Sequence, residues 1–215
     1  MAQKDLEDLT RERLLDEAEL LFSTKGYHAV SIREITKAAD CNLAAVSYHF
    51  SNKQSLYMEV FRSRWIPRAK RINKFFKKNL TDHGSISLST VVHTLVQAIL
   101  AGPLADEERQ RHYQLITREL CQPTKAFDLL VEEAIRPLFK DLFNAFRQCL
   151  PTNIENEELA LNILNIFGMM FYFSFACEAI TRVIGREYDP HFNTQFINNI
   201  IKFSLHGLHV NVEEA

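Results

Sequence analysis

Residues 31–50 read SIREITKAADCNLAAVSYHF and contain two short helical patterns on either side of a polar break. Ser31 and Glu34 fit the S-x-x-E capping box, in which the two side chains satisfy free backbone N–H groups at the start of a helix. The break at residues 40–42 has the length that a helix-turn-helix needs, and Asn42 is suited to cap the second helix. The spacing therefore predicts a helix-turn-helix, the motif that places its second helix in a DNA groove.

In the second helix, Leu43, Val46 and Phe50 recur at i, i+3 and i+7, so we expect them to share the buried face. The other faces carry small or hydrogen-bonding residues, namely Ala44, Ala45, Ser47, Tyr48 and His49. Small residues let a helix approach base edges closely, whereas tyrosine and histidine can reach phosphate oxygens. The alternative is a helical hairpin inside an all-helical core, since short capped helices are common.

A longer ordered series of residues surrounds this motif. It consists of LLDEAELLF at 14–22, KGY at 25–27, SIREI at 31–35, AA at 38–39, VSYHF at 46–50, Lys53 and Leu56. The series resembles the DNA-binding domain of the TetR family of bacterial transcriptional regulators. The family often places glycine where this chain has Asp40, but aspartate tolerates unusual backbone angles, so we expect an intact turn. Gly26 supplies the left-handed residue that ends the supporting helix.

The resemblance implies roles for single residues of this region. Tyr48, His49 and Lys53 would contact DNA phosphates, as would Ser31 at the start of its helix. The alternatives are a half-buried packing ring for Tyr48, a solvated or core side chain for His49 and an ordinary surface charge for Lys53. The base-reading surface would include three small residues, Ala44, Ala45 and Ser47. The full set of predicted DNA-binding residues is Ser31, Asn42, Leu43, Ala44, Ala45, Ser47, Tyr48, His49 and Lys53.

The chain of 215 residues has a formal net charge of −2, but its charges are unevenly distributed. Residues 1–78 hold 15 Lys and Arg against 10 Asp and Glu, whereas residues 79–215 hold 10 against 17. The sharpest basic run consists of Arg62, Arg64, Arg68, Lys70, Arg71, Lys74, Lys77 and Lys78. Some of these side chains would lie near DNA phosphates and contribute salt-dependent attraction, unless the run is a solvated helix face.

Beyond residue 80, turn-forming residues separate further segments with a helical pattern, and no strand-like alternation is long enough to build a sheet. The predicted helices run near 87–101, 106–120, 124–150, 156–184 and 193–208, after a long basic helix over about 52–80. We expect Pro137 to kink the helix over 124–150. The predicted fold class is therefore all-α.

The second half contains four short motifs, which are REL at 118–120, PT at 123–124, AFD at 126–128 and RPL at 136–138. Together they resemble the effector domain of the CecR-like subgroup of TetR regulators. The resemblance implies a three-helix helix-turn-helix DNA-binding domain over 1–60, followed by a larger helical ligand-binding and dimerisation domain over 61–215. It also implies a homodimer, formed mainly through the last two long helices, with a small-molecule pocket in each effector domain.

Aromatic side chains of the second half suit a largely apolar ligand pocket, and two charged residues could orient the ligand. The candidate ligand contacts are Tyr113, Arg118, Phe139, Phe143, Phe171, Tyr172, Phe175 and Glu178. An aromatic residue at helical spacing is more often part of a core than a ligand contact, and Arg118 fits a structural ion pair equally well.

Residues 160–177, ALNILNIFGMMFYFSFAC, carry no charge over 18 residues, a length at which a membrane helix has to be considered. Two asparagines and a serine interrupt this segment, and glutamates flank it. These polar residues favour a buried or subunit-interface helix over one that spans a membrane, so no membrane partner is expected. The polar segment after Met1 does not resemble a secretory signal, and the four cysteines form no C-x-x-C pair. We therefore expect a reduced, cytoplasmic setting.

These observations predict a sequence-specific transcriptional regulator that is not an enzyme and needs no cofactor or metal. Its partners would be a palindromic double-stranded DNA operator, an unknown small-molecule effector and a second copy of the chain. In the two-state hypothesis, the effector prefers a different spacing of the two reading helices and releases the repressor from DNA.

Two alternatives come from other classes of protein. One is a helical interaction module that does not bind DNA. The other is a metal-binding helical protein that uses His93, His112 and Glu119, although their spacing is not clustered. An enzyme is disfavoured because no G-x-S-x-G, Gly-rich phosphate loop or H-E-x-x-H motif occurs in the sequence.

Overall fold

The computed structural model describes residues 2–81, 86–150, 154–187 and 189–208, without the side chains of 2–6, 173–175 and 177. Within these ranges the chain is helical and has no β-strand, which confirms the all-α prediction. The helices are α1 (Ala2–Lys25), α2 (Ile32–Ala38), α3 (Leu43–Phe50), α4 (Lys53–Val60), α5 (Ile66–Thr81), α6 (Leu88–Leu100), α7 (Asp106–Cys121), α8 (Lys125–Leu130), α9 (Arg136–Cys149), α10 (Asn156–Ile184) and α11 (Pro190–Gly207).

Three of the five predicted helices of the second half agree with the structure to within one residue, whereas the helix predicted over 124–150 is divided into α8 and α9 and the last helix starts earlier than predicted. The helix predicted over 156–184 has those bounds as α10, and those predicted over 87–101 and 106–120 are α6 and α7. The last helix begins at Pro190, three residues before the predicted position. Its start is set by Asp189, whose carboxylate accepts from Phe192 N–H at 2.6 Å and caps the helix.

Two π-helical turns, Phe61–Trp65 and Val131–Ile135, join α4 to α5 and α8 to α9. Each turn lies just ahead of a proline, since Pro67 and Pro137 are the second residues of the helices that follow. A regular α-helix cannot pass through proline undisturbed, because proline has no N–H and its ring crowds the preceding turn. The disturbance expected at Pro137 takes the form of a π turn, and a second one, not predicted, precedes Pro67.

The chain forms two compact units. The first consists of Met1–Ala69 and Ala105–Ala134, so α7 and α8 belong with the N-terminal helices. Its buried core includes Leu14, Leu15, Phe22, Ile35, Tyr57 and Phe61. The boundary predicted between residues 60 and 61 separates two functional domains, whereas these units are defined by compactness alone. The predicted boundary therefore stays a prediction.

Within the first unit, α7 supplies the cap at the end of α1. Gly26, at φ +85°, ends α1 as predicted, and its N–H donates to Phe22 C=O at 3.0 Å. The Arg118 guanidinium donates to the carbonyl oxygens of Ser23, at 2.8 Å, and Thr24. Carbonyls at the end of a helix lack partners inside the helix, so Arg118 stabilises the end of α1.

The second unit consists of Lys70–Leu104 and Ile135–Ala215. In it α6 contacts α9, α10 and α11. The buried residues of α6 include Val91, Val92, Leu95 and Val96, and those of α10 include Leu159, Ile163, Ile166 and Met170. The uncharged segment 160–177 is thus part of a helix with a buried side. In the described ranges, no helix combines the length and apolar content needed to cross a membrane.

Candidate DNA-binding surface

The first helix of the motif, α2, is capped by the hydroxyl of Ser31, which accepts from Glu34 N–H at 3.1 Å. The Glu34 carboxylate pairs with the Lys25 ammonium at the end of α1, and this hydrogen bond lowers the pKa of Glu34. The described contacts therefore support the Ser31 half of the predicted capping box, while Glu34 ties α2 to α1. Ser31 itself is exposed.

The turn between α2 and α3 is intact, as expected. Asp40 has a φ of +49°, in the left-handed region where glycine is more common. Cys41 N–H donates to Thr36 C=O at 2.9 Å, and Asn42 Oδ1 accepts from Ala45 N–H at 3.0 Å. These contacts close α2 and cap α3, so the second helix starts at a defined point.

The buried side of α3 differs from the prediction at its first residue. Val46 and Phe50 are buried, whereas Leu43 is 48% exposed. The three residues share one angular face, but a residue that opens a helix is covered only where another element packs against that first turn. The predicted burial of Leu43 is therefore wrong, because the first turn of α3 leaves its side chain exposed although its angular position is that of Val46 and Phe50.

The exposed side of α3 includes Ala44, Ser47 and Tyr48. Ala45 and His49 are half-buried. Tyr48 is 71% exposed, which rules out a half-buried packing ring, and its ring meets that of His49 edge-on at 4.9 Å. The Tyr48 hydroxyl donates to the carboxylate of Glu7 at 3.4 Å, so α1 reaches the second helix of the motif.

Lys53 opens α4, directly after the end of α3. Ser51 leaves α3 with a φ of +67°, and Asn52 Oδ1 accepts from Ser55 N–H at 2.9 Å and caps α4. The Lys53 ammonium lies 4.4 Å from the centre of the Tyr27 ring, a cation–π contact, and burial lowers the pKa of Lys53. Lys53 is therefore a half-buried cation held in position, in contrast to an ordinary surface lysine.

Two members of the basic run are paired with acidic residues of the first unit. Arg64 donates to Glu12 at 2.6 Å and to Asp16 at 2.9 Å. Burial acts to lower the pKa of Arg64, but the hydrogen bonds to these two carboxylates outweigh it and raise that pKa. Arg68 is buried and pairs with Glu19, which is also buried. Carboxylates of the first unit hold both of these arginines, and contact with phosphates stays a prediction for the other members of the run.

A buried hydrogen-bond chain, absent from the predictions, joins α4 to α7 and α8. Tyr57 donates its hydroxyl to Glu119 at 2.5 Å, and Glu119 also accepts from Thr124 N–H at 3.0 Å. Burial, together with the hydrogen bond to this carboxylate, raises the pKa of Tyr57. The sequence contains a signal for this buried hydrogen-bond chain, because Glu119 shares a helical face with the apolar Leu115 and Ile116. A carboxylate on such a face needs polar partners.

Two of the three residues proposed as metal ligands have other contacts, and the third is exposed. The His112 ring stacks on Trp65 at 4.4 Å, and the His112 carbonyl accepts from the Trp65 indole N–H at 2.9 Å. Glu119 belongs to the hydrogen-bond chain, and His93 is exposed on α6. Among the described side chains, no group of three or more His, Cys, Asp or Glu is arranged to hold a metal ion. This part of the chain therefore does not support the metal-binding alternative.

The predicted ligand contacts divide between the two units. Tyr113 and Arg118 lie on α7 in the first unit. Burial raises the pKa of Tyr113, and Arg118 is bound to the α1 carbonyls. The second unit contains Phe139, Phe143, Phe171, Tyr172, Phe175 and Glu178.

In the second unit, the rings of Phe139 and Phe143 lie 6.4 Å apart on α9. On α10, Tyr172 is exposed, and the exposed Glu178 accepts from Arg182 at 2.5 Å. Phe171 is half-buried, and the side chain of Phe175 lies outside the described residues. A role in ligand binding stays a prediction for all eight residues.

Two family models match the chain. Residues 14–60 match the model described as bacterial regulatory proteins, tetR family. Residues 87–208 match the C-terminal domain of the HTH-type transcriptional dual regulator CecR, and this second match covers more than half of the chain. The helix-turn-helix and the C-terminal half of the supporting helix α1 thus fall in the first match, and α6–α11 in the second.

Whole-chain comparisons give the same picture. The HTH-type transcriptional dual regulator CecR of Shigella flexneri is 24% identical over 200 residues, which cover 89% of this chain and 87% of the relative. The HTH-type transcriptional regulator AcrR of the same species is 26% identical over 166 residues, with coverages of 76% and 74%. A crystal structure of a transcriptional regulator from Rhodococcus sp. Rha1 shares the fold, with a TM-score of 0.65 at 15% identity, over 92% of this chain and 96% of that one.

Proposed function

The chain belongs to the TetR family of bacterial regulatory proteins, and on that basis we propose that it is a repressor that binds a palindromic DNA operator as a homodimer and is released by a small molecule. Its relatives and its fold are those of transcriptional regulators, not of enzymes. The observation that carries the proposal is the exposed side of α3, a capped helix that follows an intact turn. As a protein that acts on the bacterial chromosome, it would work in the cytoplasm.

The contacts with DNA would come from two kinds of residue. Base edges would be read by the exposed small residues of α3, with Asn42 and Leu43 at its start. Phosphates would be bound by Ser31, Tyr48, His49 and Lys53. The exposed hydroxyl of Tyr48 and the positioned ammonium of Lys53 support this assignment. The Tyr48 hydroxyl would exchange its exposed 3.4 Å contact with Glu7 for a phosphate oxygen, which needs no rearrangement of the core.

The dimer would form through α10 and α11. Leu161, Leu164, Tyr172 and Val183 are exposed on α10, and Phe203 is exposed on α11. The four α10 residues are spaced by 3, 8 and 11 positions, which places them on one stripe of the helix. Long exposed apolar stripes are typical of interfaces, and a two-fold dimer would match the symmetry of a palindromic operator.

Release by a small molecule would follow from a two-state equilibrium. A ligand bound in each effector domain would favour a dimer whose reading helices no longer fit successive major grooves. Its effect is limited by its difference in affinity for the two states, typically about 1–3 kcal/mol for each site. The aromatic residues of α9 and α10 support an apolar ligand, since the described rings of Phe139, Phe143 and Phe171 are all incompletely buried.

The decisive experiment is the selection of bound fragments of the source genome by the purified protein, followed by sequencing. We expect one palindromic motif whose half-sites are about one helical turn apart. Affinity for that motif should fall steeply as salt rises. Transcription from the adjacent promoter, with and without the protein, would then distinguish repression from activation. The experiment is repeated with protein that has been unfolded and refolded to remove any bound small molecule. If no motif is enriched with that protein either, the result contradicts the proposal and favours the interaction module.

A pair of variants tests the assignment at α3. Tyr48→Ala should weaken operator binding at least tenfold, because each of the two protomers loses one charge-assisted hydrogen bond to a phosphate. Fluorescence anisotropy measures the affinity, and light scattering should show that the dimer is intact. Tyr48→Phe isolates the hydroxyl from the ring. Unchanged affinity in both variants would remove Tyr48 from the DNA-binding surface.

A further inference from the structure

The N-terminal end of α3 presents apolar side chains to solvent. Leu43 is 48% exposed, Ala44 is exposed beside it, and Ala45 is half-buried. Alanine and leucine side chains have no hydrogen-bond donor or acceptor. In a helix-turn-helix, the first residues of the second helix are those that contact base edges. These three residues of α3 therefore cannot read a base by side-chain hydrogen bonds.

The neighbouring polar side chains add little discrimination between bases. Asn42 Oδ1 accepts from Ala45 N–H at 3.0 Å, so the helix cap already holds this side chain, and the bidentate pairing that selects adenine would have to share that oxygen. Ser47 is exposed one turn further along, but a serine hydroxyl pairs with more than one base. Sequence information at this end of α3 must then come mainly from apolar contact.

Exposure of a single leucine is unremarkable elsewhere in the first unit. Leu120 on α7, for example, is 50% exposed, and scattered apolar side chains are normal on protein surfaces. Leu43 differs by its place, since it opens the helix that faces the bases. The major groove presents one apolar group to such a side chain, the C5-methyl of thymine.

We propose that Leu43 is a specificity-determining residue that reads thymine. In each half-site its side chain packs on the C5-methyl of one thymine, and Ala44 allows the helix to come close enough for that contact. The inference rests on the proposed function, because it names the base that the proposed reading surface recognises. This contact explains why a large apolar side chain occupies an exposed position, where a polar side chain would be better solvated.

The test uses the full-length protein and a duplex operator selected from a random DNA library. The operator is resynthesised with deoxyuridine in place of each thymine in turn, which removes only the methyl group and keeps the base pairing. At one thymine in each half-site, affinity should fall about fourfold, and about fifteenfold when both half-sites are changed. Deoxyuridine outside these positions should have no effect.

Two variants complete the test. Leu43→Ala should bind the thymine operator more weakly and bind the thymine and uracil operators equally. Leu120→Ala removes a side chain of matched exposure and should keep the full discrimination. Leu43→Ala introduces the best helix former at an exposed site, so the fold is not at risk, and circular dichroism and light scattering verify this.

The outcomes separate the inference from the proposed function. Operator binding that responds to no uracil substitution, or a response that persists in full in Leu43→Ala, overturns the thymine contact and leaves the regulator intact. A random library in which no sequence is enriched overturns the proposed function itself, and the thymine contact with it.

Discussion

The two compact units differ in the contacts that hold each of them together. In the first unit, buried polar pairs lie within an apolar core, as in the pairs of Arg68 with Glu19 and of Tyr57 with Glu119. In the second unit, α6 meets its neighbours through a buried set of valine, leucine and isoleucine side chains. Directional polar contacts permit one arrangement, whereas an apolar core accepts other side chains of similar volume. The unit that carries the reading helix is thus the one whose helix positions are most narrowly determined.

The largest effect is expected from Glu19→Gln. This isosteric change leaves Arg68 buried without its main charge partner, and loss of one partner of a buried ion pair costs about 3–5 kcal/mol. Urea denaturation at fixed protein concentration measures the free energy of unfolding. A loss below about 1 kcal/mol, the range of exposed ion pairs, would show that the pair does not hold the first unit together.

In the second unit, the nature of the substitution should decide the effect. Leu95 is completely buried on α6, so Leu95→Ala should cost about 3 kcal/mol through the cavity it creates. Leu95→Met keeps the volume and should cost less than about 1.5 kcal/mol in the same assay. If Leu95→Met proved as costly as Glu19→Gln, the distinction between the two units would fail.

Tyr57→Phe removes one hydrogen bond from the buried chain and should cost about 1–2 kcal/mol near neutral pH. The pH dependence gives a second readout. Burial raises the pKa of Tyr57 above its ordinary value of 10.0, so the unfolded state loses the phenolic proton first. The Tyr57 contribution is therefore complete below about pH 10 and is lost as the pH rises further.

Thermal denaturation of wild-type and Tyr57→Phe protein over the alkaline range measures this difference. The variant should be less stable at neutral pH, and the gap should narrow as the pH rises above about 10. Tyr48→Phe, measured without DNA, is the control, because Tyr48 is 71% exposed. If the difference in stability between wild-type and Tyr57→Phe protein stays constant with pH, ionisation of Tyr57 does not cause the alkaline loss of stability.

The smallest effect is expected from Glu12→Gln. The hydrogen bond from Arg64 lowers the pKa of Glu12, so the contribution of this pair is present above the ordinary value of 4.5 and is lost as the pH falls. Glu12 is half exposed, and solvent screening keeps the loss below about 1 kcal/mol. Unfolding at about 0.1 M and 1 M salt should show the loss disappearing at high salt. A larger, salt-independent loss would place this surface pair with the buried ones.

The local features of the helix-turn-helix could be predicted because each depends on residues close in sequence. Ser31 and Asn42 cap helices through an N–H three residues away, and Gly26 and Asp40 adopt positive φ angles for reasons of their own chemistry. The turn chemistry of such residues is known without the rest of the fold.

The features that were missed depend on residues far apart in the chain. Tyr57 and Glu119 are separated by 62 positions, and Arg118 and Ser23 by 95. The exposure of Leu43 likewise depends on whether another helix covers the first turn of α3, which helical periodicity does not tell. The ligand contacts stay predictions for a related reason, because a pocket is a property of packed helices and not of any one of them.

The π turn at Phe61–Trp65 has a consequence for the register of the helix that contains it. A turn of this kind holds one residue more than an α-helical turn, and one residue corresponds to about 100° of rotation and 1.5 Å of rise. If the same residues formed a regular α-helix instead, Arg68 would be rotated about 100° away from Glu19. The irregular turn therefore directs Arg68 towards Glu19, and a regular helix of the same length would lose this buried ion pair.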